Sequence, residues 1–142
     1  MTSHRGPSPV PSIIAPDTPR RSTRAGRRAW SVLGVVLAVA AVVETATHHV
    51  SPWIPLAFAV GPDLSFLAGL GRPALPGRLP ERAVPVYNVV HRQRLPMAVV
   101  MVALLMDLSP WCLVAGLAWW AHIAADRAFG FGLRTKGGRQ RG

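Results

Sequence analysis

Cysteine is almost missing: Cys112 is the only one in 142 residues, and it sits in an apolar run. That excludes a disulfide framework and any CxxC metal site, and it leaves Cys112 as a small buried apolar residue. Acids are scarce too, six against 16 Lys and Arg, for a formal net charge of +10. No Gly-rich phosphate loop, GxSxG elbow or HExxH helix occurs, so the functions those motifs carry have no footing here. Charge itself is missing from long stretches. All 16 Lys and Arg fall within residues 5–28, 72–82, 92–94 and 127–141.

Half the residues are hydrophobic, and the length allows one domain. A soluble domain would mix its charges through its apolar segments. Here they flank them, as the topology rule for cytoplasmic loops requires. A basic chain of this kind also raises nucleic acid as a partner. The arginines line no aromatic or helical reading face, so the predicted partner is the lipid bilayer and not nucleic acid.

Residues 1–29 are rich in Pro, Ser, Thr and Arg and read as a disordered basic tail that fixes topology, with arginines able to touch anionic lipid. Four apolar segments follow, at residues 30–50, 51–70, 85–108 and 109–129. Each is near the length of about 20 residues that a helix needs to cross the hydrocarbon core. The first has an alternative reading as a signal peptide, with Ala38-Val39-Ala40 as the cleavage site. A retained helix is favoured because three apolar segments follow and need a partner. The third segment contains Pro96 and is interrupted by His91-Arg92-Gln93-Arg94, whose long side chains can snorkel to the headgroups. Ser51-Pro52-Trp53 and Ser109-Pro110-Trp111 each predict a Ser cap, a Pro at the first helical position and an interfacial Trp.

The expected fold is therefore all-α, a polytopic bundle of about four transmembrane helices in two hairpins. The domain spans 30–134, between a basic tail at 1–29 and another at 135–142. The connections at 44–52 and 107–110 hold no Lys or Arg, whereas 71–85 and the C-terminal end hold many. Both termini are then cytoplasmic. A bundle this thin also leaves room for a homodimer.

Ionisable residues inside membrane helices are costly and mark functional sites by default. At the helical rise, Asp63 lies about 18 Å, His122 about 20 Å, His91 about 24 Å and Asp126 about 26 Å from the outer ends. Four polar residues thus share a layer in the inner half. Glu44, about 10 Å deep, does not join it. His122 and Asp126 are i,i+4 on one helical face. Tyr87 and Asn88 precede His91 by one turn and can orient its imidazole. Gly61-Pro62 should break the second helix just before Asp63. Asp107-Leu108-Ser109-Pro110 reads as a turn, Trp119 and Trp120 as packing aromatics, and Gly130-Phe131-Gly132 as a helix terminator. Two His and two Asp suit a divalent metal such as Zn, Mn or Fe.

Tyr87-Asn88-Val89-Val90-His91 and the long run from Trp119-Trp120-Ala121-His122 through Asp126-Arg127 to Gly130-Phe131-Gly132-Leu133-Arg134 resemble a family of small bacterial integral-membrane proteins, domain of unknown function 4260. Pro62-Asp63-Leu64-Ser65 resembles its third motif. The likeness spans about residues 30–136. It implies a multi-pass membrane fold and no established activity, and it points to Asp63, Tyr87, Asn88, His91, His122, Asp126 and Arg127. The chain departs from the family at Ala29-Trp30-Ser31, where an acidic residue is common, at the charged Arg92-Gln93-Arg94, and in its Pro- and Arg-rich loop at 71–82. In pattern alone, a Pro-Asp, a His-Arg and a late His followed by Asp and Gly are similar to membrane-bound metal-dependent hydrolases.

Three functions follow as expectations. The first is an uncharacterised membrane protein whose His/Asp cluster is a structural or proton- and ion-handling network. The second is a metal-dependent hydrolase of an amphiphilic ester or phosphoester. There His91, His122 and Asp would hold the metal, a free Asp would act as base, and Arg127 would hold an anionic group. The third is a haem protein with His91 and His122 as axial ligands.

Overall fold

A computed structural model describes residues 23–141. The basic tail expected at 1–29 lies outside the described residues up to position 22. The first helix, α1 (Arg24–Thr47), starts six residues ahead of the expected Trp30. Thr23 supplies the reason: its Oγ1 accepts from Gly26 N–H at 3.2 Å and satisfies one of the free donors of the first turn.

The second apolar segment is two pieces, α2 (Trp53–Val60) and a 3-10 segment (Gly61–Gly69). The break falls at Gly61-Pro62, as the sequence predicts, because Pro62 has no N–H to continue the ladder. The expected Ser51 cap is not made: Pro52 takes the cap position and no side-chain cap bond forms.

The third segment is likewise not a continuous helix. It divides into α3 (Val84–Val90) and α4 (Arg94–Leu105). Two features explain a break at residues 91–93. Pro96 cannot donate to the Arg92 carbonyl, and its ring crowds that group. The Val90 carbonyl, which would accept from Arg94 N–H in a continuous helix, instead accepts from the Trp119 indole at 2.8 Å. Pro96 itself is tolerated in the first turn of α4, where its missing donor leaves no bond unmade within that helix.

The last helix, α5 (Pro110–Phe129), is the hub of the molecule. It buries Val114 through Ala118, Ile123 and Ala124, and it packs against α1, α2 and α4. Ser109 precedes it with no side-chain cap bond, and Pro110 opens its first turn. Asp107, at φ 48°, makes the expected turn before it. Gly130 ends it in the left-handed region at φ 90°, with Phe131 N–H donating to Asp126 O at 2.7 Å, the bond pattern of a Schellman stop.

Arg27 Nε donates to Ala128 O at 2.7 Å, so the start of α1 lies beside the end of α5 and the two run antiparallel. At the opposite end, His48, Val50 and Ser51 meet Ser109, Pro110 and Trp111 around one hollow. The two connections that lack Lys and Arg are thus neighbours in space. Beyond α5 the chain turns back on itself, with an isolated bridge between Arg134 and Gln140. It rests on the 70–83 loop, where Leu79 N–H donates to Gly138 O at 3.0 Å.

Among the described residues α1 is the one helix long and apolar enough, by length and composition, to cross a membrane. It exposes Val32, Val36, Val39 and Val43, and α4 exposes Leu104 and Leu105. The second segment, Trp53–Gly69, is apolar but shorter.

Candidate metal centre

Three parts of the fold deliver one cluster of four side chains. Asp63 comes from the first turn of the 3-10 segment, His91 from the break after α3, and His122 and Asp126 from successive turns of α5. The two helix breaks therefore each place one member. The shared layer inferred from residue depths corresponds to a real meeting point. His91 Nε2 and His122 Nε2 stand 3.5 Å apart. Asp63 Oδ1 lies 3.7 Å from the first and 3.6 Å from the second. Asp126 Oδ2 lies 3.5 Å and 3.7 Å from the same two nitrogens.

These separations exceed ordinary hydrogen-bond lengths of about 2.7–3.2 Å. They match the spacing of ligands around a common ion. The centre of a triangle with 3.6 Å edges lies about 2.1 Å from each corner, within the range of metal–nitrogen and metal–oxygen bonds. Asp63, His91 and His122 form such a group by themselves.

His91 is prepared for that role. Its Nδ1 is 2.9 Å from the Tyr87 carbonyl, which can only accept, so Nδ1 carries the proton and the Nε2 lone pair faces the cluster. Metal-bound histidines are commonly held in this way. The Tyr87 ring stacks on the imidazole, 3.9 Å between centroids and 19° from parallel. The imidazole is 2% exposed, so a single orientation is enforced. The Asp63 side chain, by contrast, is 48% exposed and marks the open side of the cluster.

Tyr87 thus orients the histidine through its backbone and its ring face. Asn88 does not touch the imidazole. Its amide donates to Arg134 O at 2.9 Å and accepts from Arg134 N–H at 2.7 Å, fastening the segment after α5 to α3. Removing both bonds in Asn88→Ala should cost about 1–3 kcal/mol. It should appear first as faster proteolysis or amide exchange of residues 130–141. Unchanged protection of that segment would show that the pair contributes nothing.

Arg127 lines a separate hollow that has no cluster residue in its wall. Glu44 pairs with His48 at 3.3 Å, apart from the site, consistent with its exclusion. Two supporting residues go beyond their reading from sequence, where Trp119 was a packing aromatic and Arg134 had no role. Trp119 holds the Val90 carbonyl beside His91, and the Arg134 guanidinium lies 5.5 Å from the Tyr87 ring centroid. Both stand within the long C-terminal motif, but nothing in spacing alone predicts their partners.

The bis-His haem expectation does not fit. The two Nε2 atoms are 3.5 Å apart with their rings at 61°, and a carboxylate oxygen from each Asp lies at the same point. No plane between the imidazoles is free for a macrocycle.

The fold and site define an all-helical protein with a His/Asp cluster at metal-ligand spacing. The profile of a domain of unknown function, DUF4260, matches residues 28–141, and the chain belongs to that family. No curated protein and no solved structure matches it.

Proposed function

We propose that this chain is a multi-pass membrane metalloenzyme that hydrolyses an ester or phosphoester bond in an amphiphile. The spacing of the four donor atoms carries the reading. A structural or proton-conducting network gains its stability from short hydrogen bonds. Groups held at 3.5–3.7 Å instead leave a gap of ionic size. The membrane placement is supported by the exposed valines of α1 and by the gathering of the Lys- and Arg-free connections at one end. By the charge rule the opposite end, with the site nearer to it, faces the cytoplasm.

Asp63 Oδ1 and the Nε2 atoms of His91 and His122 would hold a divalent ion, of which zinc, manganese and iron suit the donor set. The ion would acidify a water and polarise the substrate oxygen. Asp126 Oδ2 would accept the proton of the attacking water as the water oxygen bonds to the carbonyl carbon or phosphorus, and would return it to the alkoxide as the bond to that leaving group breaks.

Protein purified in mild detergent without chelators should carry about one metal ion per chain by mass spectrometry. His122→Ala should carry almost none. Wild-type protein that is metal-free and does not rebind zinc, manganese or iron would remove the hydrolase reading and leave the polar network.

A further inference from the structure

A second hollow, of about 630 Å³, is lined by Trp30, Arg92, Gln93, Arg94, Arg127 and Leu133. Its size falls within the range of about 300–1,000 Å³ typical of small-molecule sites. The lining comes from α1, from the break between α3 and α4, and from the end of α5, elements that meet only in the folded chain. No acidic residue lines it. Among the described residues no carboxylate comes within ion-pair distance of any of the three arginines.

Arginines that merely reach headgroups splay outward from their helix ends. Here three guanidinium-bearing residues border one cavity without a counter-charge, an arrangement that repels itself until an anion enters. Two of its arginines are chain neighbours of cluster residues. Arg92 follows His91, and Arg127 follows Asp126.

We infer that this hollow is a phosphate-binding subsite, which holds the phosphoryl group of an anionic amphiphile. The inference rests on the proposed hydrolase and narrows its substrate class to phosphate esters. Arginine suits the role because its planar fork pairs with two phosphate oxygens at once. Trp30 and Leu133 give the hollow an apolar border on which the first carbons of an attached chain can lie. Arg127, half-buried, is the arginine best shielded from water, so its contact with a phosphate is the least screened.

The test is equilibrium binding of octyl phosphate and of inorganic phosphate to the full-length protein in detergent, before and after chelation. Octyl phosphate should bind in both states. Arg127→Gln, and the double change Arg92→Gln with Arg94→Gln, should each weaken it by about tenfold or more. Arg78→Gln, which removes the same charge from a different hollow that also contains Glu81, should leave binding unchanged. Inorganic phosphate that competes as well as octyl phosphate would identify a free-phosphate site. Weaker competition would identify a headgroup site.

An equal loss in Arg78→Gln would reduce the effect to net charge and overturn the subsite. So would full affinity in the Arg127 and Arg92/Arg94 variants, or no binding of either ligand. Phosphate binding by a wild-type protein that purifies metal-free and takes up no zinc, manganese or iron would keep the subsite and discard the hydrolase. Metal without phosphate binding would do the reverse.

Discussion

Asp126→Asn is expected to lower hydrolytic turnover by about 10²- to 10⁴-fold, the usual worth of a positioned general base, while metal content stays near that of the wild type. The three donors Asp63, His91 and His122 close a ligand triangle without it. Asp126 stands one helical turn from His122, with Oδ2 at 3.7 Å from that imidazole and 3.5 Å from the other. Asparagine preserves shape and one acceptor oxygen but takes no proton. Turnover of a chromogenic octyl phosphoester, measured together with metal content by mass spectrometry, separates the cases. Unchanged turnover would eliminate Asp126 as the base. Metal lost as completely as in His122→Ala would make it a ligand and move the base to the exposed Asp63.

Gly116→Ala should destabilise the bundle by about 1–3 kcal/mol, the cost of overpacking a close contact. A Cβ at position 116 would lie 2.8 Å from Val100 Cγ2, 3.1 Å from Val99 Cγ1 and 3.2 Å from the Val100 backbone nitrogen. The valine methyls can rotate, but the backbone cannot. Gly34 offers an internal comparison. A Cβ there meets Ala124 Cβ and Ala125 N at an ordinary 3.5 Å, so Gly34→Ala should be close to neutral. Thermal unfolding of both variants in one detergent reads the difference. Equal midpoints would mean that α4 and α5 do not depend on glycine for their approach, contrary to the usual role of small residues between apolar helices.

The elements were legible where a single local cause fixes them. Pro62 announces the break before Asp63, and Gly130 announces the end of α5. The i,i+4 pairing of His122 with Asp126, combined with counting of depth, was enough to gather all four cluster residues. The polar run His91-Arg92-Gln93-Arg94 marked an interruption in the third segment, but not a full break of the helix at 91–93, because half its cause is the Trp119 indole 29 residues away. Nor was the early start of α1 legible. Its arginine-rich first turn reads as tail until the Thr23 cap and the contact of Arg27 with the end of α5 are seen. The role of Asn88 was misjudged for a related reason. Sequence spacing places it near His91, but backbone groups of Arg134, far along the chain, match its amide better.

That α5 is both the last helix and the common partner of α1, α2 and α4 sets an order of biogenesis. While the ribosome is still extending the chain, α1, α2 and α4 lack the helix against which all three pack, and Asp63 and His91 wait without their two companions. A premature stop before residue 110 therefore removes the whole scaffold at once. Such a truncated product should be cleared by quality-control proteases and should not persist as a partly working protein.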